Sequence, residues 1–346
     1  MTTRLLDKTW FRIGATLATG AMGGAGLDGL GFPAAWISGA MLGMAALGFM
    51  GIRPCLPEPL RDLGLMLVGV ATGCAITPQM LGAVAQYPAS LVLLAITTGL
   101  VVIVGRFVMM RLFAWDAHSA LFGAMPGALS AVIAAVDDMG GDMLKVVVVQ
   151  TFRVFVLIGL LPGLIEMSVP HQPIVGELLL SAPGFAVSMV LAVVLALAFM
   201  RIRLIAPFMF GGMVAAGALH LSGFVAGTVP ASLTNLAMLL VGILAGQRFA
   251  DIDYASLRRL ILPSLVLFIV SLAIAVFGGF VASKWLDIPL VQVLVAYAPG
   301  GLEAMVLLGI VLGIDPLYVT SHHVARFVLL ALALPLMTNR TPPKAS

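Results

Sequence analysis

Two arginines carry the most pointed chemistry in this sequence. Arg153 and Arg326 each lie in a long apolar run, in a chain of which only ten per cent of residues are charged. A guanidinium in such a run is costly to bury and marks a functional site by default. Gln150 precedes Arg153 by three positions, and His322 and His323 precede Arg326 by four and three, so each arginine shares a helix face with polar neighbours. If both guanidiniums face one cavity, two cations flank one site, and its ligand is an anion such as a carboxylate. Alternatively, each arginine ties together the free carbonyls of a broken helix. The two roles are compatible.

The breaks themselves are written upstream of each arginine. Pro126-Gly127 and Pro299-Gly300-Gly301 interrupt apolar segments; proline lacks an N–H and clashes with the preceding turn, while glycine relaxes the backbone. An interrupted helix exposes carbonyls on one side and N–H groups on the other. Such ends attract cations and anions respectively, which is how secondary transporters build midplane sites. Glu303 stands in the second segment where the first has Ser130, and an acid there could bind Na+ or carry a coupling proton. The candidate substrate-binding set is therefore Pro126, Gly127, Ser130, Gln150, Arg153, Pro299, Gly300, Gly301, Glu303, His322, His323 and Arg326.

Other chemistries find little footing. His118, His171 and His220 belong to no compact His/carboxylate cluster, so neither a metal centre nor a metalloenzyme is expected. The glycine-rich stretch 20–31 lacks the Lys-Ser/Thr ending of a phosphate loop. Cys55 and Cys74 have neither metal nor disulfide spacing. Asp142 and Asp315 sit just before helices and read as N-caps, Asp315 with Pro316 at the next position. Asp137 and Asp138 have apolar counterparts in Ile310 and Val311 and read as a solvated turn. No enzyme activity and no cofactor are expected; Na+ or H+ is the expected coupling ion.

The elements that must position these residues come in two matching series. A shift of 173 residues lays Pro126-Gly127 on Pro299-Gly300, Leu129 on Leu302, Gly140 on Gly313, Asp142 on Asp315, Arg153 on Arg326 and Pro162 on Pro335. It also lays Pro57 on Pro230, Gly69 on Gly242, and the Gly39/Gly43 pair on Gly212/Ala216, with the register near Pro207 left open. The chain thus reads as a tandem duplication, residues 1–170 and 171–346. Sixty-one per cent hydrophobic residues and a mean hydropathy of +1.15 place it in the bilayer. Its 38 Gly and 20 Pro suit close membrane-helix packing and broken helices.

Apolar segments are expected at about 12–27, 33–50, 60–76, 88–112, 118–136 and 142–165, then at 177–200, 205–220, 233–246, 260–281, 289–312 and 316–337. Basic residues fall after the second and fourth spans of the first half (Arg53, Arg61, Arg106, Arg111). In the second half they fall after its first and third (Arg201, Arg203, Arg248, Arg258, Arg259). The positive-inside rule reads this as two halves of opposite orientation. The expected fold is all-α and polytopic: two inverted repeats, about ten net crossings, and Pro-Gly segments that are either re-entrant or broken crossing helices. A multi-pass protein of a bacterial inner membrane with both termini cytoplasmic follows. Its partners are lipid and a small solute rather than nucleic acid, and a homodimer is allowed.

These residues resemble the AbrB family of bacterial membrane proteins. Pro33 to Gly39, Pro126 to Leu129, Gly140 to Asp142, Arg153 and Pro162 carry the resemblance, and Pro299 to Leu302, Gly313 to Asp315, Arg326 and Pro335 repeat its later part. It covers nearly the whole chain. The resemblance implies a transporter related to the cation/proton antiporter and anion transporter group, with inverted repeats and crossing broken helices. Three functions stay open: a transporter of a small anionic solute, to which the two cations point, a cation/proton antiporter, and a membrane regulator without flux.

Overall fold

Proline, glycine and a few polar caps divide the apolar chain into helices. The computed structural model describes residues 9–32, 34–76, 78–83, 87–126, 136, 139–166, 179–202, 204, 206–250, 252 and 254–338. In order the helices are α1 Thr9–Gly29, α2 Ala35–Phe49, α3 Glu58–Cys74, α4 Pro78–Ala83, α5 Tyr87–Phe113, α6 Ala117–Ala124 and α7 Met143–Glu166. They continue with α8 Ala182–Arg201, α9 Pro207–Leu221, α10 Ala231–Ala250, α11 Tyr254–Leu286, α12 Leu290–Tyr297, α13 Leu302–Val311 and α14 Pro316–Thr338. Among the described residues there is no strand, only an isolated bridge between Leu179 and Thr228.

The helix starts follow from local chemistry. Pro57 precedes α3, Ser181 caps α8 by accepting from the Gly184 N–H, and Asp116 caps α6 by accepting from the N–H groups of His118 and Ser119. Asp142 accepts from the Lys145 N–H and Asp315 from that of Leu317, as expected of caps.

Among the described residues, three helices are long and apolar enough to cross a membrane: α5, α8 and Ala255–Leu286 of α11, with α2 and α9 apolar but shorter. Val92, Ile96, Ile103 and Phe107 form an exposed apolar stripe on α5. Leu262, Ile269, Val276 and Phe280 are exposed along α11. Surfaces of this kind are matched by hydrocarbon, and the protein is an all-α membrane protein.

The chain forms two compact units, and they are not its two halves. One unit comprises residues 1–84, 155–253 and 303–317. Within it α3 packs on α9, α2 on α1 and α10, and α8 on α9. Glycine makes these crossings possible. A Cβ on Gly69 would collide with the Met209 carbonyl, and one on Gly242 with the Ile37 carbonyl. Gly73 meets the Met213 carbonyl in the same way, and Gly246 that of Met41.

These pairs correct one register expected from the sequence. The glycines of α3 recur in α10 after 173 residues, but Ile37 and Met41 recur as Met209 and Met213 one residue early. The reason is visible at both ends of α2 and α9. Left-handed Ala34 and Ala206 precede them (φ 50° and 48°), and left-handed Gly51 and Gly223 follow them (φ 75° and 72°), again one residue short of the offset. The loop from Gly223 to Pro230 is one residue longer than that from Gly51 to Pro57 and restores the count. Gly39 and Gly43 therefore correspond to Gly211 and Ala215, not to Gly212 and Ala216.

The other unit comprises residues 85–154, 254–302 and 318–346. Here α5 packs on α6 and α11, and α11 on α12. Val102, Leu121, Phe122, Met125, Val136, Val146 and Leu330 form its buried cluster. Left-handed Ala114 and Asp287 (φ 51° and 54°) precede α6 and α12, and these two short helices lie 173 residues apart from first residue to last.

Gly69→Val should therefore overpack the α3–α9 crossing and cost about 1–3 kcal/mol. Gly99→Ala, whose Cβ meets nothing within 4 Å, should be close to neutral. Thermal unfolding in detergent checks both, and equal melting temperatures would contradict the backbone contact.

Candidate functional site

The site lies in the second of these units, where α6 and α12 stop short. Met125 and Ala298 are extended (ψ 120° and 133°), because the residue before a proline is pushed out of the helical region and Pro126 and Pro299 follow. The last carbonyls of both helices are left without intrahelical donors in a buried apolar setting, where an unmet polar group costs free energy. Side chains supply the donors.

In the first copy, Gln150 Nε2 donates to the Phe122 carbonyl at 2.8 Å and Arg153 Nη2 to the Met125 carbonyl at 3.0 Å. In the second, His323 Nε2 lies 3.2 Å from the Val295 carbonyl and Arg326 Nη1 donates to the Ala298 carbonyl at 2.8 Å. All four bonds span 28 residues. Donors and acceptors alike recur at the 173-residue offset, so the same solution is used twice.

The two copies then diverge. Arg326 Nη1 also donates to the Tyr297 carbonyl at 3.2 Å, and its Nη2 lies 2.6 Å from His323 Nδ1. A carbonyl can only accept, so His323 carries its proton on Nε2 and its bare Nδ1 accepts from Arg326. Arg153 has the Met125 bond, while its Nε and Nη1 are buried without a hydrogen-bond partner. Arg153 is 1% exposed and Arg326 3%.

Among the described residues no carboxylate pairs with either arginine. Ion pairs there join Arg61 to Glu58 and Asp62, and Lys145 to Asp116 and Asp142. No metal-holding group of His, Cys, Asp and Glu occurs among them.

A second polar cluster surrounds His322. Its Nδ1 lies 2.8 Å from the Tyr318 carbonyl and must donate, so in the neutral ring Nε2 accepts from the Ser90 hydroxyl at 2.8 Å. The Tyr318 hydroxyl is bonded to Ser90 Oγ, and the Tyr297 hydroxyl donates to the Ser90 carbonyl at 2.7 Å. Tyr87 packs edge-on against Tyr318 and His322. Three of the four tyrosines in the chain meet here.

The N-terminal end of α6 is held as firmly as its carbonyl end. Asp142 N–H donates to Ser119 Oγ at 2.7 Å, and Lys145 Nζ lies 3.9 Å from Asp116 and 3.5 Å from Asp142. Burial opposes ionisation of Asp116, but hydrogen bonds from Ser119 and His118 and the Lys145 charge hold its carboxyl below the usual carboxylate range.

Of the residues singled out by sequence, Gln150 joins Arg153, and His322 and His323 lie along the same helix as Arg326. Pro126, Pro299 and Gly300 are buried at the breaks, with Gly301 half-buried. Gly127, Ser130 and the Glu303 side chain lie outside the described residues, as do Asp137 and Asp138. Sequence reasoning missed Tyr87, Ser90, Tyr297 and Tyr318. The rarity of tyrosine, with Tyr297 against a break and Tyr318 one turn before His322, was the available signal.

The family model described as "Transition state regulatory protein AbrB" matches residues 36–341. A Bacillus subtilis (strain 168) relative, "Uncharacterized protein YhjN", is 24% identical over 96% of this chain and 92% of its own length. An Escherichia coli (strain K12) relative, "Putative regulator AbrB", is 22% identical over 89% of this chain and 90% of its own.

Ser90→Ala removes the partner of His322 Nε2 and of the Tyr318 hydroxyl, and should cost about 1–3 kcal/mol of stability, read as a lower melting temperature. Asp116 contributes stability that is present above its unfolded pKa of about 3.9 and lost as pH falls through its lower folded value. Asp116→Asn should accordingly flatten the acid limb of melting temperature against pH, below about pH 4.

Proposed function

We propose, from the premise that this chain belongs to the AbrB family, that it is a secondary transporter of a small anionic solute, carboxylate-like in chemistry. The reading rests above all on one observation: two buried arginines at the carbonyl ends of interrupted helices, with no carboxylate paired to either among the described residues. A buried cation without a counter-charge is costly, and an anionic solute lowers that cost while it is bound. Alternating access around the paired broken helices would move it, with Na+ or H+ as coupling ion and Glu303 as its acidic ligand. Gln150 and His323 brace the carbonyl ends beside it, His322 adds polar lining, and Pro126, Gly127, Ser130, Pro299, Gly300 and Gly301 shape the breaks. No catalytic step and no cofactor enter this mechanism.

The same reading makes residues 1–170 and 171–346 two inverted repeats in a bacterial inner membrane, with about ten net crossings and both termini cytoplasmic. Recurrence of the four side-chain-to-carbonyl bonds supports the repeat. A cation/proton antiporter, with the arginines serving only the breaks, is favoured instead by the three hydrogen bonds that tie Arg326 to the end of α12 and to His323. A membrane regulator without flux takes its support from the name of the Escherichia coli relative, "Putative regulator AbrB".

Reconstitution into proteoliposomes separates the three. Saturable counterflow of a labelled small carboxylate, driven by a Na+ or pH gradient, is the expected result. Na+-dependent dissipation of a pH gradient that ignores carboxylates would replace it with the antiporter. Absence of both, from protein that is folded in the vesicles, would favour the regulator.

A further inference from the structure

The two arginines are equivalent in the repeat but not in their bonding, and we propose that they divide the work: Arg153 binds the carboxylate of the solute through its unspent guanidinium N–H groups, while Arg326 is a strut that never contacts it. This assignment rests on the anion-transport reading above and adds which cation serves the solute.

The argument is one of donors and acceptors. Arg326 spends Nη1 on two carbonyls, those of Tyr297 and Ala298, and Nη2 on His323 Nδ1. His323 is itself fixed by the Val295 carbonyl, so its lone pair stays turned to the guanidinium. An anion drawing on the Arg326 N–H groups already in use would have to displace bonds that close the end of α12. At the matching position the first copy has Gln150, whose Nε2 is committed to the Phe122 carbonyl. Arg153 thereby keeps Nε and Nη1 free while Nη2 holds the Met125 carbonyl.

Two unmet nitrogens on a charged group that is 1% exposed are a strong demand for acceptors, since donors on a buried charge cost more to leave unmade than neutral ones. A carboxylate offers two oxygens and one charge. The guanidinium fork suits carboxylate and phosphate alike, but one carboxylate charge balances one guanidinium, whereas sulfate and phosphate bring excess charge into a buried setting, so the site favours the carboxylate. Arg326, held nearby, adds favourable charge without contact.

The test is a thermal-shift titration of the full-length protein in detergent with sodium acetate, succinate and glutamate, using chloride, sulfate and phosphate as comparison anions. The parent should be stabilised by one of the carboxylates. Arg153→Gln should remain folded and bind that carboxylate about ten- to a hundredfold more weakly. Arg326→Gln should melt several degrees lower yet keep the carboxylate response. If it does not fold, His323→Gln, which takes the imidazole lone pair from Arg326 and leaves an amide to donate to the Val295 carbonyl as Gln150 does to that of Phe122, takes its place and should keep the response too.

Retention of the response in Arg153→Gln, or equal loss in the Arg153 and Arg326 (or His323) variants, would overturn the division of work while leaving an anion transporter standing. Stabilisation by sulfate or phosphate in preference to every carboxylate would overturn the ligand class. A parent that responds to no anion would bring down the transport reading and the assignment with it.

Discussion

Everything in the polar unit follows from the need to satisfy carbonyls where a helix stops inside an apolar medium. In water the ends of α6 and α12 would be solvated at little cost. In hydrocarbon or packed protein each free carbonyl needs a donor from the chain itself. Proline makes the stop unavoidable, and arginine is suited to mending it, because one planar group presents several donors in a fixed fork. Arg326 reaches two successive carbonyls from a single nitrogen and still has another for His323. A lysine would bring a compact charge with no such fork.

This constraint explains what the repeat keeps and what it lets go. The bonds at the 28-residue spacing are kept, since losing Arg153 would take the donor from the Met125 carbonyl, and losing Arg326 would leave the Ala298 carbonyl with the Gly300 N–H and that of Tyr297 without its side-chain donor. Surroundings that do not serve the break are free to differ. Gln150 and His323 both supply an N–H to a carbonyl, but only the imidazole has a lone pair turned to its arginine. One substitution at a repeated position thus changes the bonding state of a guanidinium without disturbing the break it spans.

Much of this was legible in the sequence, because proline, glycine and buried charge leave marks at fixed spacing. The offset of 173 located α6 and α12, the breaks and both arginines. The one-residue slip of α2 against α9 was not legible. It begins at left-handed alanines, which carry no glycine signature, and is undone in a loop before α10, so both flanks stay in register. The tyrosine cluster was hidden for a different reason. Ser90, Tyr297, Tyr318 and His322 match Pro263, Ala124, Lys145 and Val149 across the repeat, so comparing the halves dilutes the signal instead of reinforcing it.

The two units solve the membrane problem by different means. Lipid tails are as apolar as the helices, so burial alone does little to drive helices together there. One unit relies on shape: Gly69, Gly73, Gly242 and Gly246 bring backbones close enough for dispersion and weak contacts to act. The other relies on polar satisfaction, with α6 fixed at one end by Asp116 and at the other by Gln150 and Arg153. Glycine contacts are nearly indifferent to chemistry, whereas a network of carbonyls and guanidiniums responds to any new acceptor. A new acceptor would therefore act first on the unit held by hydrogen bonds, and there on Arg153, whose Nε and Nη1 have no partner among the described residues.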